Sequence, residues 1–174
     1  MSMATLSEQE LVRRSKLEAL KKLAINPYPA ALYPVDFFAS SLPEAYEEGK
    51  KVVVAGRIMS RRIQGKASFA ELLDPTGKIQ LYLNRDEMCS GEDKTLYNEV
   101  YKKLLDIGDI IGVEGTLFTT KVGQMSINVN QLTVLNKSLK PLPLPKTDSE
   151  GNTYDEFNDP EQRYRQRYVD LIVN

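Results

Sequence analysis

The fold of this chain is decided by residues 51–84, KVVVAGRIMSRRIQGKASFAELLDPTGKIQLYLN. The first part, 51–63, is rich in β-branched residues and is long enough to bend across two sheets. Two more strand patterns, at 67–74 and 77–84, flank the turn sequence DPTG. The stretch therefore predicts three consecutive β-strands joined by tight turns.

Side-chain alternation predicts which residues of the second and third strands face away from the core. Ala70 and Leu72 of the second strand, and Ile79, Leu81 and Leu83 of the third, alternate with other residues and should point inward. The residues expected on the outer face are Phe69, Glu71, Lys78, Gln80 and Tyr82.

The rest of the central region completes the order of a small barrel. Residues 95–106 have helical spacing, and two strand patterns follow at 109–121 and 124–136. In the last of these the apolar parity changes near Asn130 or Gln131, which predicts a bulge. Three strands, a helix and two strands are the order of an OB-fold, a five-stranded barrel that binds oligonucleotides. We therefore predict a mainly β protein with flanking helices and an OB-fold domain over residues 49–137.

Residues 1–48 are predicted to be a helical extension. Ser7 and Glu10 form a capping box for an amphipathic helix over 7–24, which the sequence NPYP ends. The expected buried face consists of Leu11, Val12, Ala19, Leu20, Leu23 and Ala24, and the expected basic face of Arg13, Arg14, Lys16, Lys21 and Lys22. Two interpretations of the basic face stand, a solvated surface and an arm that touches RNA phosphate.

Residues 138–174 are predicted to be a proline-rich linker followed by the start of another domain. Asp159, Pro160 and Glu161 supply helix-start signals for one helix that continues to residue 174. That helix has an apolar stripe formed by Tyr164, Tyr168, Leu171 and Ile172. We expect further chain to cover the stripe, and hence a longer parent protein.

Composition limits the possible functions. The 174 residues have a net charge of −1, no histidine, and one cysteine, Cys89. Polyanion binding must therefore come from a local patch, and a zinc site or an internal disulfide is not expected. No stretch has the length and hydrophobicity of a membrane span or a signal peptide, which favours a cytoplasmic protein without a membrane partner.

Positive charge is concentrated along the first strand and the turn that follows it. The cations are Arg57, Arg61, Arg62 and Lys66, and Phe69 comes shortly afterwards. An exposed aromatic ring beside cations is typical of single-stranded nucleic-acid binding, because the ring stacks on a base while the cations hold phosphate. The residues alone also allow a solvated hairpin with Phe69 in the core.

Several motifs together resemble the bacterial class II lysyl-tRNA synthetases. They are VAGRIMSRRIQGKASFAELLDPTGKIQLYL, LDIGDIIGVEGTLFTTKVGQMSI, KSLKPLPLP and RYRQRYVDLIVN. The resemblance implies an N-terminal anticodon-binding part of an enzyme that activates lysine with ATP and magnesium and charges tRNA(Lys). It also implies a homodimer, RNA rather than DNA as the partner, and catalytic and metal-binding motifs beyond residue 174. We therefore expect no catalytic residue, metal site or cofactor in this chain.

The resemblance assigns roles to individual residues. Phe69 would stack on an anticodon uridine, while Arg62 and Gln80 would hydrogen-bond its edge. Tyr82, Arg57, Arg61 and Lys66 would contact the RNA backbone or support the site. Gln124 stands where the family usually has glutamate, so weaker discrimination of uracil from cytosine is expected. Two alternatives remain: the same domain of an aspartyl- or asparaginyl-type synthetase, and a free-standing OB-fold that binds single-stranded nucleic acid.

Overall fold

The computed structural model describes residues 6–154 and 157–174. The chain divides into two compact units, Met1–Leu139 and Lys140–Asn174. The first unit contains a closed β-barrel together with the N-terminal helix, and the second contains a two-stranded ribbon and two short helices.

The first unit has five barrel strands and several helices. The strands are β1 (Lys51–Gln64), β2 (Ala67–Asp74), β3 (Gly77–Asn84), β4 (Ile110–Thr119) and β5 (Met125–Asn136). The helices are α1 (Glu8–Lys22), a 3-10 turn (Ala39–Ser41), α2 (Leu42–Ala45), α3 (Arg85–Met88) and a π-helix (Leu96–Leu104).

The strands close in the order β1-β2-β3-β5-β4. The β3–β5 pair is parallel and the other pairs are antiparallel. This closed five-stranded barrel confirms the predicted OB-fold.

β1 is shared between the two sides of the barrel. Its first half, Lys51–Arg57, pairs with β4, and its second half, from Arg57 onward, pairs with β2. The pairing with β2 shifts register between Ile58 and Ser60, which leaves Met59 unpaired as a bulge. At Gly56 a Cβ atom would lie 2.5 Å from the Leu73 carbonyl oxygen, so only glycine lets the strands approach this closely at the bend.

The predicted alternation and the predicted bulge in β5 are both confirmed. The predicted inward residues of β2 and β3 are buried in the barrel, namely Ala70, Leu72, Ile79, Leu81 and Leu83. The predicted outer-face residues are half-buried or exposed. In the β4–β5 pair Gln131 faces Glu114 and Val129 faces Gly115, so Asn130 is the extra residue.

The helix predicted at residues 95–106 is present, but it is a π-helix over Leu96–Leu104. The Leu105 amide donates to the Val100 carbonyl, five residues back. The wider turn buries Tyr97, Val100 and Tyr101 together against the barrel. The apolar spacing of the sequence predicted a helix but did not distinguish an α-helix from a π-helix.

The capping box of α1 is confirmed, because Ser7 Oγ accepts from the Glu10 amide and Glu10 Oε2 accepts from the Ser7 amide. The predicted buried face is confirmed at Leu20 and wrong at Leu11, which is 54% exposed. Leu17 and the predicted basic-face residue Arg13 are buried beside Leu20 instead.

Polar contacts explain why α1 turns a different face to the barrel from the one predicted. Arg13 donates to the main-chain carbonyls of Ile107 and Ser138, and Lys16 forms an ion pair with Asp106. The barrel thus presents acceptors to α1 where the helix pattern implied an apolar surface, and a buried arginine is tolerated because its guanidinium is hydrogen-bonded.

Beneath this contact, the fully buried Lys137 binds two carboxylates. Its ammonium lies 2.8 Å from Asp106 Oδ2 and 2.8 Å from Asp109 Oδ2. Burial raises the pKa of Asp106, but hydrogen bonds from Lys137 and Lys16 outweigh it and hold that pKa below its usual value. The cluster therefore joins the end of β5 to the loop before β4.

The second unit differs from its prediction. It has a ribbon of β6 (Lys146–Thr147) and β7 (Thr153–Tyr154), then α4 (Pro160–Arg165) and α5 (Arg167–Val173). The N-cap at Asp159 is present, but the predicted single helix is broken at Gln166, whose backbone leaves the helical region. The helices are joined by an ion pair in which Arg163 Nε lies 2.6 Å from the buried Asp170 carboxylate. Most of the predicted apolar stripe is exposed, and Tyr164 is 85% exposed.

Candidate nucleic-acid interface

A cavity of about 420 Å³ opens on the outer face of β1, β2 and β3. It is lined by Ser60, Arg61, Arg62, Phe69, Ala70, Glu71, Gln80 and Gln124. All four residues for which a base contact was predicted, Arg62, Phe69, Gln80 and Gln124, therefore lie around one cavity. Their roles there remain predictions.

Strand register explains how residues so far apart in sequence meet. Arg62 pairs with Phe69 across β1 and β2, and Phe69 pairs with Tyr82 across β2 and β3. In the neighbouring row, Glu71 pairs with Gln80. Side chains directly opposite each other in an antiparallel pair lie about 5 Å apart, so the two rows form one continuous surface.

Phe69 is half-buried on the outer face and does not belong to the buried core. Its ring packs on Tyr82 with centroids 5.2 Å apart, and Tyr82 in turn meets Phe118 at 5.8 Å. Tyr82 therefore supports one side of the Phe69 ring while Phe69 also lines the cavity. An aromatic side chain that lines an open cavity is a surface on which a base can stack.

The orientation of the Gln80 amide is set by β5. The Ser126 hydroxyl donates to Gln80 Oε1 at 2.8 Å, across the parallel β3–β5 pair. Because the oxygen is engaged, the Nε2 group remains as the donor that Gln80 offers to the cavity.

Gln124 reaches the cavity from the β4–β5 turn. The Thr120 amide donates to the Gln124 carbonyl, and the Gln124 amide donates to the Thr120 hydroxyl. The Gly123 amide donates to the Thr120 carbonyl and closes the turn. Gly123 has φ +84°, a conformation that glycine adopts without strain. The Gln124 side chain is exposed at the rim, and within the described ranges it makes no hydrogen bond.

The predicted cations fall into two groups. The Arg62 side chain is exposed and forms no ion pair or hydrogen bond with the described residues, whereas the Lys66 ammonium lies 3.5 Å from the Asp86 carboxylate and is also exposed. Arg57 and Arg61 are half-buried and donate to the main-chain carbonyls of Gly108 and Tyr101.

The second group is held by the protein itself. The Arg61 guanidinium also lies 5.5 Å from the centre of the Tyr101 ring. Burial lowers the pKa of the Arg57 guanidinium, while the nearby Asp109 opposes this shift. Of the two roles predicted for these residues, the contacts favour support of the site.

Sequence reasoning missed two residues of this face. Glu71 was expected outside the core but was given no role, and it lines the cavity. Phe118 extends the aromatic row from β4, although the intervening strand β5 separates it from Tyr82 in the sheet. Strand alternation placed Glu71 on the same outer face as Phe69, and this could have indicated that it lines the site. The contact between Phe118 and Tyr82 depends on the β3–β5 pairing, which strand alternation does not predict.

The described residues form neither a metal-ion cluster nor a membrane-spanning helix. Across residues 6–154 and 157–174, no group of three or more Cys, Asp or Glu side chains is arranged to hold a metal ion. Over the same residues, every helix is too short or too polar to cross a lipid bilayer.

Comparison with known proteins agrees with the geometry. Residues 52–135 match the tRNA anticodon family, described as an OB-fold nucleic acid binding domain. Residues 52–135 form a domain of this anticodon-binding family. The anticodon-binding domain thus covers all but the outermost residues of the barrel.

Several curated relatives of this anticodon-binding chain are lysine–tRNA ligases. That of Christiangramia forsetii is 66% identical over 99% of this chain and 30% of the relative. Those of Azobacteroides pseudotrichonymphae and Porphyromonas gingivalis are 55% and 51% identical over 97% and 100% of this chain. The chain spans about a third of the length of these relatives, 30–34%. These matches do not favour an aspartyl- or asparaginyl-type synthetase or a free-standing OB-fold.

Proposed function

We propose that this chain recognises the anticodon stem-loop of tRNA(Lys) as the N-terminal part of a lysine–tRNA ligase. The observation that carries the proposal is the cavity shared by Arg62, Phe69, Gln80 and Gln124 on the OB-fold face. The identity of the curated relatives supports lysine as the amino acid of the parent enzyme.

Base recognition in this proposal combines stacking with hydrogen bonding. An anticodon base, a uridine in the first instance, stacks on Phe69, whose other side is supported by Tyr82. Gln80 Nε2 and the Arg62 guanidinium donate to the carbonyl groups of that base. Gln124 contacts the same base or its neighbour from the rim of the cavity.

Local charge supplies the attraction to the RNA backbone, since the net charge of the chain is −1. Lys66 is exposed on the β1–β2 turn, and this turn belongs to the same hairpin as the cavity residues Arg62 and Phe69. Arg57 and Arg61 act through the main-chain carbonyls that they hold, by fixing the shape of β1.

The parent enzyme in this proposal activates lysine with ATP and magnesium and transfers it to tRNA(Lys). Those steps belong to the two thirds of the ligases that this chain does not match. A tRNA partner implies a cytoplasmic location. We also propose a homodimer for the parent protein, supported by exposed apolar side chains near the N-terminus such as Leu11 and Leu32.

The deciding experiment is a titration of the chain with unmodified anticodon stem-loops. We expect tighter binding to the tRNA(Lys) loop than to the tRNA(Asp) loop, at fixed and stated salt because phosphate contacts depend on it. A preference for the tRNA(Asp) loop would indicate that the domain belongs to an aspartyl-type enzyme instead. Equal binding to both loops and to unstructured RNA would indicate a general single-strand binder.

A further inference from the structure

A single carboxylate lines the cavity and has no role in the function proposed above. Among the described residues around the cavity, only Glu71 carries one. Its Oε1 lies 3.1 Å from Lys78 Nζ, and the side chain remains 40% exposed. None of the described residues donates to Oε2. Glu71 therefore presents a free acceptor atom beside the Phe69 platform.

The strands on either side of β2 offer donors. Gln80 lies directly opposite Glu71 on β3, and its Nε2 is left over because Ser126 occupies the oxygen. Arg62, on β1, pairs with Phe69 in the neighbouring row and also lines the cavity, and its guanidinium can only donate. Across β1, β2 and β3 the face thus presents a donor, an acceptor and a donor in that order.

The Watson–Crick edges of the four bases differ in how they match this order. Uracil presents the O4 acceptor, the N3–H donor and the O2 acceptor, which complements all three groups. Cytosine presents a bare N3 at the centre, which a carboxylate repels. Guanine places an amino group against the arginine, and adenine places a bare N1 near the carboxylate. Uracil is the only common base that satisfies every group.

We propose that Glu71 is the residue that selects uracil at this cavity, by accepting the hydrogen bond of the base N3–H. The inference rests on the proposed function, since it requires an anticodon base on Phe69. Lys78 holds the carboxylate and balances its charge, so the acceptor does not repel the neighbouring phosphates. The amide of Gln124 cannot supply this selectivity, because it presents oxygen or NH₂ equally well.

The test uses Glu71→Gln, which keeps the size of the side chain and loses its charge. The wild-type chain and the variant are titrated with unmodified tRNA(Lys) stem-loops that carry uridine or cytidine at each anticodon position in turn. We expect the uridine-to-cytidine affinity ratio at one position to fall about tenfold in the variant, because the amide can donate to the bare N3 of cytosine.

Glu99→Gln is the matched control. Glu99 forms an ion pair with Lys103 on the π-helix, outside the cavity, with side-chain exposures of 46% and 62% against 40% and 58% for Glu71 and Lys78. Both variants lose one charge and one exposed pair, so only the position differs. Lys78→Met, which removes the partner and keeps the carboxylate, should retain the wild-type ratio.

The outcomes separate this inference from the proposed function. If the wild-type chain binds the stem-loops but Glu71→Gln leaves every uridine-to-cytidine ratio unchanged, the role of Glu71 is refuted and the proposed function stands. An equal fall in Lys78→Met would assign the effect to the ion pair and also refute the carboxylate contact. If the wild-type chain binds no stem-loop at all, both proposals fail.

Discussion

Replacing Phe69 by alanine tests the stacking platform directly. The ring lines the cavity on one side and packs on Tyr82 at 5.2 Å on the other. Loss of a base–aromatic stack should weaken binding of a tRNA(Lys) stem-loop by about 1–3 kcal/mol, which is roughly a 5- to 150-fold rise in Kd.

The cost to folding should be smaller than for a buried ring. Phe69 is half-buried, and the substitution removes one aromatic pair, worth about 0.5–1.5 kcal/mol, together with part of an apolar surface. A fully buried phenylalanine in a barrel core would cost about 3–5 kcal/mol on the same substitution. Urea denaturation gives the free energy of unfolding, and fluorescence anisotropy with a labelled stem-loop gives the affinity.

Phe118→Ala is the matched control for this experiment. Phe118 is also half-buried, also packs on Tyr82, and does not line the cavity. Both variants should lose similar stability, but only Phe69→Ala should lose affinity. If Phe69→Ala binds normally and unfolds far more easily than Phe118→Ala, the stacking role is wrong and Phe69 acts as a structural residue.

Further predictions concern charge and specificity. Lys66→Gln should weaken binding to all stem-loops alike and lower the slope of log K against log salt concentration by about one unit. Arg62→Gln should instead weaken binding to uridine-bearing loops selectively. Equal effects of the two variants would mean that Arg62 contacts the RNA backbone. Gln124→Glu should raise the uracil-over-cytosine preference by about 1 kcal/mol in stem-loop titrations, and an unchanged preference at all three anticodon positions would make residue 124 a plain turn residue. The pKa of Asp106 is lower in the folded protein than its ordinary value, so the ionised carboxylate stabilises the fold above that ordinary pKa. This stabilisation is lost as the pH falls through the folded-state pKa. The urea concentration at the unfolding midpoint should therefore decrease when the pH is lowered below about 4. Lys137→Met should lower the free energy of unfolding at pH 7 by about 3–5 kcal/mol, because the buried Asp109 loses its cation and Asp106 keeps only Lys16. A urea midpoint equal to wild type would show that the cluster contributes nothing net.

Much of the barrel could be predicted because its signals are local. β-branched runs, turn sequences and period-two alternation identified the strands β2 and β3 with the bounds that the structure shows. Alternation also placed Phe69, Gln80 and Tyr82 on the outer face, since neighbouring side chains of a strand must point to opposite sides. The change of parity in β5 likewise predicted the extra residue at Asn130.

Helix faces and helix type were less predictable, because they depend on the surface that the helix meets. The apolar pattern of α1 indicated burial of Leu11, but the barrel offers carbonyl groups and Asp106 at the contact. Arg13 is buried there instead. The helix broken at Gln166 had start signals typical of one continuous helix, and the Arg163–Asp170 ion pair, which links its two halves, joins residues seven positions apart.

By itself the sequence determined the order of strands and helix along the chain, the outward residues of β2 and β3, and the similarity to anticodon-binding domains. Only the tertiary structure showed how the contacts of Arg61 and Arg62 differ. The bulge at Met59 reverses the alternation of β1. Both side chains line the cavity, but Arg61 donates to the Tyr101 carbonyl, whereas no described residue binds the Arg62 guanidinium. Identical side chains at adjacent positions thus differ because one extra residue upstream changes the face on which each lies.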